Sequence, residues 1–213
     1  QRVGQRRDHR PRERVVGEPV VDADALRADR DQVPPTVGLL LGVSAQAGEP
    51  FGFKGFPLGG QLADFRAKFP DFNCDSDSCR WYVSSCPLGN SRACIERNTY
   101  GGLVPEFVTA KFIEDRLQHV LISYRSKHFQ SLAEALTDRL GEPLTRIDKP
   151  VRTKAGVEYV NSTLAWDRDG AVVMLARFSG SITSGFVAIE TRAYREALIE
   201  KLKTQRRDAS KDL

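Results

Sequence analysis

Methionine, histidine and cysteine are scarce in this chain of 213 residues, which has one Met, three His and four Cys. No apolar run approaches the roughly 20 residues that a membrane-crossing helix needs. Charge of one sign is lacking too. The 32 basic and 28 acidic side chains leave a net charge of +4, too weak a field for a protein devoted to a polyanion. Residues 1–50 contain none of the 11 Phe, 5 Tyr and 2 Trp, and no Lys, Ile, Asn or Cys, so they bring little to a core. The sequence also has no phosphate loop, dinucleotide fingerprint, nucleophile elbow or His-Glu zinc motif. These absences point away from an enzyme, and no cofactor is expected.

The opening segment is therefore treated apart from the domain. Arg2, Arg6, Arg7, Arg10, Arg12 and Arg14 cluster, but the eight Arg of residues 1–50 are balanced by eight Asp or Glu. No helical or strand period is sustained there, so residues 1–36 read as a disordered or non-native leader. After Pro34-Pro35, the run Val37 to Val43 followed by Ser44-Ala45-Gln46-Ala47 has the pattern of a signal-peptide end over 37–47, with cleavage after Ala47. No Cys follows to carry a lipid, so the expected product is a soluble, exported, periplasmic domain over 48–205 with a charged tail over 206–213.

Cys74, Cys79, Cys86 and Cys94 fall in one loop-rich stretch. An even number downstream of an export signal reads as two disulfides. The turn residues Pro87 to Ser91 favour Cys86 with Cys94, leaving Cys74 for Cys79 across Asp75 to Ser78. If the export reading fails, the alternative is a cytoplasmic zinc-binding module built on the four thiolates, although their spacing lacks close-set knuckles.

Along the domain, Phe51 to Phe56 reads as a short opening strand. Leu58, Leu62, Phe65 and Phe69 then recur at helical spacing until Pro70. Cys79 to Val83 and Ile95 to Tyr100 are strand candidates. Pro105 to Ile113 and Leu117 to Tyr124 form a hairpin in which Val108, Ala110 and Phe112 alternate with Thr109 and Lys111. The order then repeats. Ser126 stands as the N-cap of a helix carrying Phe129, Leu132, Leu136 and Leu140, which Gly141 and Pro143 end. Strands follow at Leu144 to Ile147, Tyr159 to Trp166, Ala171 to Phe178 and Phe186 to Thr191, and a last helix runs from Tyr194 to about Lys203. Helix then four antiparallel strands, twice over, predicts an α+β fold with two helices on one face of the sheet.

Several local motifs resemble those of uncharacterised exported proteins of Gram-negative bacteria. They are Gly55 to Gly59 before a helix ending Lys68-Phe69-Pro70, Thr99 to Gly102, Phe112 to Leu117, Phe129 to Leu136, Arg139 to Pro143, and Trp166. The likeness spans about residues 51–191 and implies a compartment and a fold. The repeated helix-plus-meander order is also similar to β-lactamase-inhibitor-protein-like domains, which implies binding of a partner protein on a concave sheet.

Among chemistry-bearing residues, His119 falls within a strand and His128 opens a helix, and neither has a neighbour that would make it a general base. Glu114-Asp115 and Asp167-Asp169 read as turn residues, and Ser179 to Gly185 as a polar loop. Trp81, Tyr82, Tyr100 and Tyr124, with Arg80, Arg97 and Arg125, have the composition of a binding surface. The expected function is binding of a protein or another envelope component through the sheet face, with no nucleic acid. The alternative is an envelope hydrolase using His119 or His128.

Overall fold

A computed structural model describes residues 51–86, 91–153, 155–168 and 170–209, with the side chains of 91 and 206–209 left aside. The chain opens with two short strands, β1 (Gly52–Phe53) and β2 (Phe56–Pro57), joined by Lys54 and Gly55 at φ 49° and 66°. Two positive φ values in a two-residue turn make the tight hairpin that the twist of a strand pair favours. Position 52 must be glycine, since a Cβ there would meet the Phe56 carbonyl oxygen at 2.0 Å. The expected single opening strand is thus a hairpin. Its apolar residues feed a ring cluster with α1 (Leu62–Lys68), in which Phe53, Phe56, Phe65, Phe69 and Phe72 pack at centroid distances of 4.6–6.4 Å.

One antiparallel sheet of eight strands organises the rest. The first half supplies β3 (Asn73–Cys74), β4 (Ser78–Tyr82), β5 (Phe107–Ile113) and β6 (Arg116–Arg125). The second half supplies β7 (Thr145–Arg152), β8 (Glu158–Arg168), β9 (Ala171–Ala176) and β10 (Ser184–Thr191). Their order is β3-β4-β5-β6-β10-β9-β8-β7, so each half is a meander and the two meet through their last strands. Each half is preceded by a helix, α1 in the first and α3 (Phe129–Leu140) in the second. The expected doubling of helix plus four strands is present in number, but in the first half β3 takes the place of the strand expected at Ile95 to Tyr100 and a further helix stands between β4 and β5.

Cross-strand register defines two faces. Trp81, Val108, Ile122, Val187, Leu175 and Leu164 form one row, and Cys79, Ala110, Val120, Ile189, Val173 and Trp166 the next. This inner face carries the main core, onto which α1 and α3 lay Leu62, Phe65, Phe129, Ala133 and Leu140. The outer face carries a smaller cluster, Ala165, Val172, Met174, Ala176, Phe186 and Ala188. It is covered by α4 (Arg192–Ala209), whose half-buried Tyr194, Leu198, Ile199 and Leu202 recur at helical spacing. Among the described residues, no helix is long and apolar enough to cross a membrane.

Some expectations are corrected. Ile95 to Tyr100 is not a strand. Residues Ser91–Arg97 form α2, supported by an Arg92–Glu96 ion pair one turn apart and closed by Asn98, whose side chain donates to the Cys94 carbonyl. Ser126 begins a short 3-10 turn, but its hydroxyl donates to the Ile182 carbonyl and caps nothing. The strand expected at Leu144 to Ile147 extends to Arg152, and α4 outlasts Lys203, so the expected tail is helical as far as Ala209. The leader, the signal-peptide end, residues 87–90, Asp169 and residues 210–213 lie outside the described residues.

Candidate functional site

Both disulfides expected from the sequence are present, Cys74–Cys79 and Cys86–Cys94. The first joins register partners on β3 and β4, and the second ties the turn after β4 to α2. All four sulfurs are paired, so none of the described cysteines is a free thiolate of the kind the zinc-module alternative needs. Among the described residues, no group of three His, Cys, Asp or Glu is placed to hold an ion.

The proposed binding residues separate into two sets. Trp81 is only 1% exposed and lies on the inner face, because alternation along β4 turns it inward and Tyr82 outward. Tyr124 is buried with its hydroxyl donating to the Ala176 carbonyl at 2.9 Å, and burial pushes its phenol well above the usual range. Tyr100 packs on Phe53 at 4.9 Å beneath the Lys54 ammonium, and burial raises its phenol as well. These three aromatics belong to the core rather than to a binding surface. Arg125 is exposed at the end of β6, paired in register with Ser184.

Arg80 and Tyr82 remain, both on the outer face at the edge that α4 leaves open. Tyr82 is 47% exposed and contacts Phe107, its register partner on β5, at 6.0 Å. The sequence reading missed Phe107, although strict alternation along β5 puts it on the face opposite Val108. Beside Tyr82 lies a groove of about 320 Å³ lined by Asp71, Asn73, Asp75, Arg80, Tyr82 and Ser85. Arg97 braces it from behind, its guanidinium donating to both Asp71 oxygens at 2.9 and 3.0 Å and holding that carboxyl below the usual range. Asp75 is lowered by the backbone N–H of Ser78 and then by the Ser78 hydroxyl, at 2.8 and 3.0 Å. Both carboxylates are therefore fixed and ionised, and Arg80 stands across from them.

The two histidines do not meet. His119 lies on the outer face under α4, its ring stacked on Tyr194 at 5.1 Å and its Nε2 4.0 Å from Glu190 Oε2. Glu190 Oε1 lies 3.3 Å from Arg195, and Lys111 donates to the Tyr194 hydroxyl at 3.5 Å. Lys111, His119 and Glu190 are register partners across three strands, so this buried polar row is built by the sheet and closed by the helix. His128 sits in the turn after the opposite end of β6. Glu114 and Asp115 form the β5–β6 turn as expected, whereas Asp167 lies on β8 and accepts from Arg192 of α4.

No family model matches the chain, and no curated protein matches it. Among solved structures, a DUF4309 family protein from Bacillus subtilis is similar at 10% identity and a TM-score of 0.37, over 65% of this chain and 84% of that one.

Proposed function

We propose that this chain is an exported, periplasmic binding domain that takes a protein or another envelope component on the open edge of its outer face. The observation that carries this reading is the exposed Tyr82, packed on the half-buried Phe107 beside a polar groove, on the part of the sheet that α4 does not cover. Exposed aromatics with a neighbouring Arg are the composition of interface anchors. Cys74, Cys79 and Cys86 of the two disulfides each adjoin a lining residue in the chain, and such bonds persist in oxidising compartments outside the cytosol. The same bonds stiffen β3, β4 and α2, so binding there would lose little conformational entropy. The hydrolase alternative has no comparable support, since His119 is buried beneath α4 and His128 stands apart from it in the turn after β6.

A photo-crosslinking residue at position 107 tests this in envelope preparations. The expected result is one identified envelope component captured at 107, diminished by Tyr82→Ala and absent with the crosslinker at Ile113. Equal capture at both positions, or none at 107, would overturn the reading.

A further inference from the structure

We propose that the groove beside Tyr82 binds a neutral oligosaccharide, which makes the envelope component a glycan. This rests on the binding reading above and specifies its ligand. Three features of the groove argue for it. The first is the balance of charge. The carboxylates Asp71 and Asp75 of the lining and the adjacent Asp77 are offset by the guanidiniums of Arg80 in the lining and of Arg97 and Arg66 around it, so an ionic ligand gains no net field.

The second feature is the mixture of donors and acceptors. Vicinal hydroxyls both give and take hydrogen bonds, and the groove offers carboxylate acceptors, the Arg80 donors and the two-way amide of Asn73. The two carboxylates are held in place by Arg97 and Ser78, so they are ordered before a ligand arrives. Tyr82 supplies the third feature. Its exposed ring, backed by Phe107 inclined to it at 42°, presents an apolar face next to polar groups, suited to the C–H face of a pyranose.

A peptide added as a further strand fits less well. The edge of β4 is already paired at Cys79 and Arg80 by β3, and the Tyr82 carbonyl accepts from the Ser85 hydroxyl at 2.6 Å. The backbone ladder that an incoming strand requires is largely taken.

The test is chemical-shift titration of the disulfide-bonded domain with cellotetraose, chitotetraose and a panel of other neutral oligosaccharides. At least one should shift the amides of residues 71–85 and 107 saturably. Binding should weaken by about tenfold or more in Tyr82→Ala and in Arg80→Ala, and survive in Tyr82→Phe, which keeps the ring, and in Arg125→Ala. Unchanged spectra for each variant outside the groove show that it is folded. No saturable shift with any saccharide, or binding indifferent to Tyr82→Ala, overturns the glycan assignment. If that happens while position 107 still captures an identified envelope protein, the glycan assignment falls and the binding reading stands. If both experiments fail, both fall.

Discussion

Glu114 and Asp115 show how single residues carry cost in this fold. Both sit at positive φ, 50° and 58°, in the two-residue turn between β5 and β6. A turn of this type favours Asn followed by Gly, and Glu is poorly suited to a left-handed conformation. The backbone geometry is nonetheless retained, because the Asp115 carbonyl accepts from the Leu62 N–H and anchors the start of α1. Replacing the pair by Glu114→Asn and Asp115→Gly keeps that carbonyl and relieves the conformational strain. The expected outcome is a gain of about 1 kcal/mol in unfolding free energy, read by urea denaturation. The turn was legible from the sequence because two alternating runs flank three polar residues. Its tightness was not, since Arg116 belongs to β6 and only the hydrogen-bond register shows it.

Elements were legible where period and composition agreed. The alternation over Phe107–Ile113 and the helical spacing of Phe129, Leu132 and Leu136 both mark elements that are present. Residues Ser91–Arg97 misled because Ile95, Thr99 and Tyr100 favour strands, whereas the Arg92–Glu96 pair, the disulfide at Cys94 and the Asn98 side chain favour a helix. Strand preference loses where contacts one helical turn apart and a disulfide act together. The C-terminus of α3 makes the same point in reverse. Gly141 ends it at φ 81° as expected, but its carbonyl accepts from Trp166 Nε1 at 2.8 Å and the Leu140 carbonyl accepts from Arg168 Nε at 2.9 Å. Two side chains of β8 thus satisfy carbonyls that the helix leaves open. Trp166→Phe removes the donor and the second ring of a buried indole, and should cost about 2–4 kcal/mol in urea denaturation. No loss of stability would mean that neither the hydrogen bond nor the second ring holds the end of α3.

At the scale of the whole molecule, each half of the chain ends in a strand that pairs with the other, and the two long edges are treated differently. On β7 the solvent edge carries Arg146, Asp148, Lys149, Pro150 and Arg152, which discourage further pairing. At the β3–β4 edge a short strand and a cross-strand disulfide close most of the ladder and leave side chains, not backbone, on offer. The candidate site was half legible for the same reason. Composition identified Arg80 and Tyr82, but no spacing rule assigns Asp71 and Phe107 to the same corner, because β3 and β5 flank β4 only in the folded sheet.

The outer face was the least legible feature, since its cover depends on one buried charge. Glu190 is 1% exposed next to the apolar run Phe186 to Ile189, and the sequence offers no sign that Arg195 would lie above it. Arg195 and Arg192 of α4 meet Glu190 and Asp167, fixing the first turn of the helix over the sheet, while Thr191 caps that turn by accepting from the Tyr194 N–H. Removing Arg195 takes the guanidinium from a buried carboxylate and leaves His119, 4.0 Å away, beside it in a dry environment, whereas removing both replaces an ion pair by packing. Arg195→Met alone is therefore expected to cost roughly 3–5 kcal/mol in urea denaturation, and adding Glu190→Leu should recover most of that loss. Additive losses in the double variant would mean that the charge pair does not hold α4 in place. In that case the apolar residues Leu198, Ile199 and Leu202 carry the attachment, and the polar row beneath the helix only sets its direction.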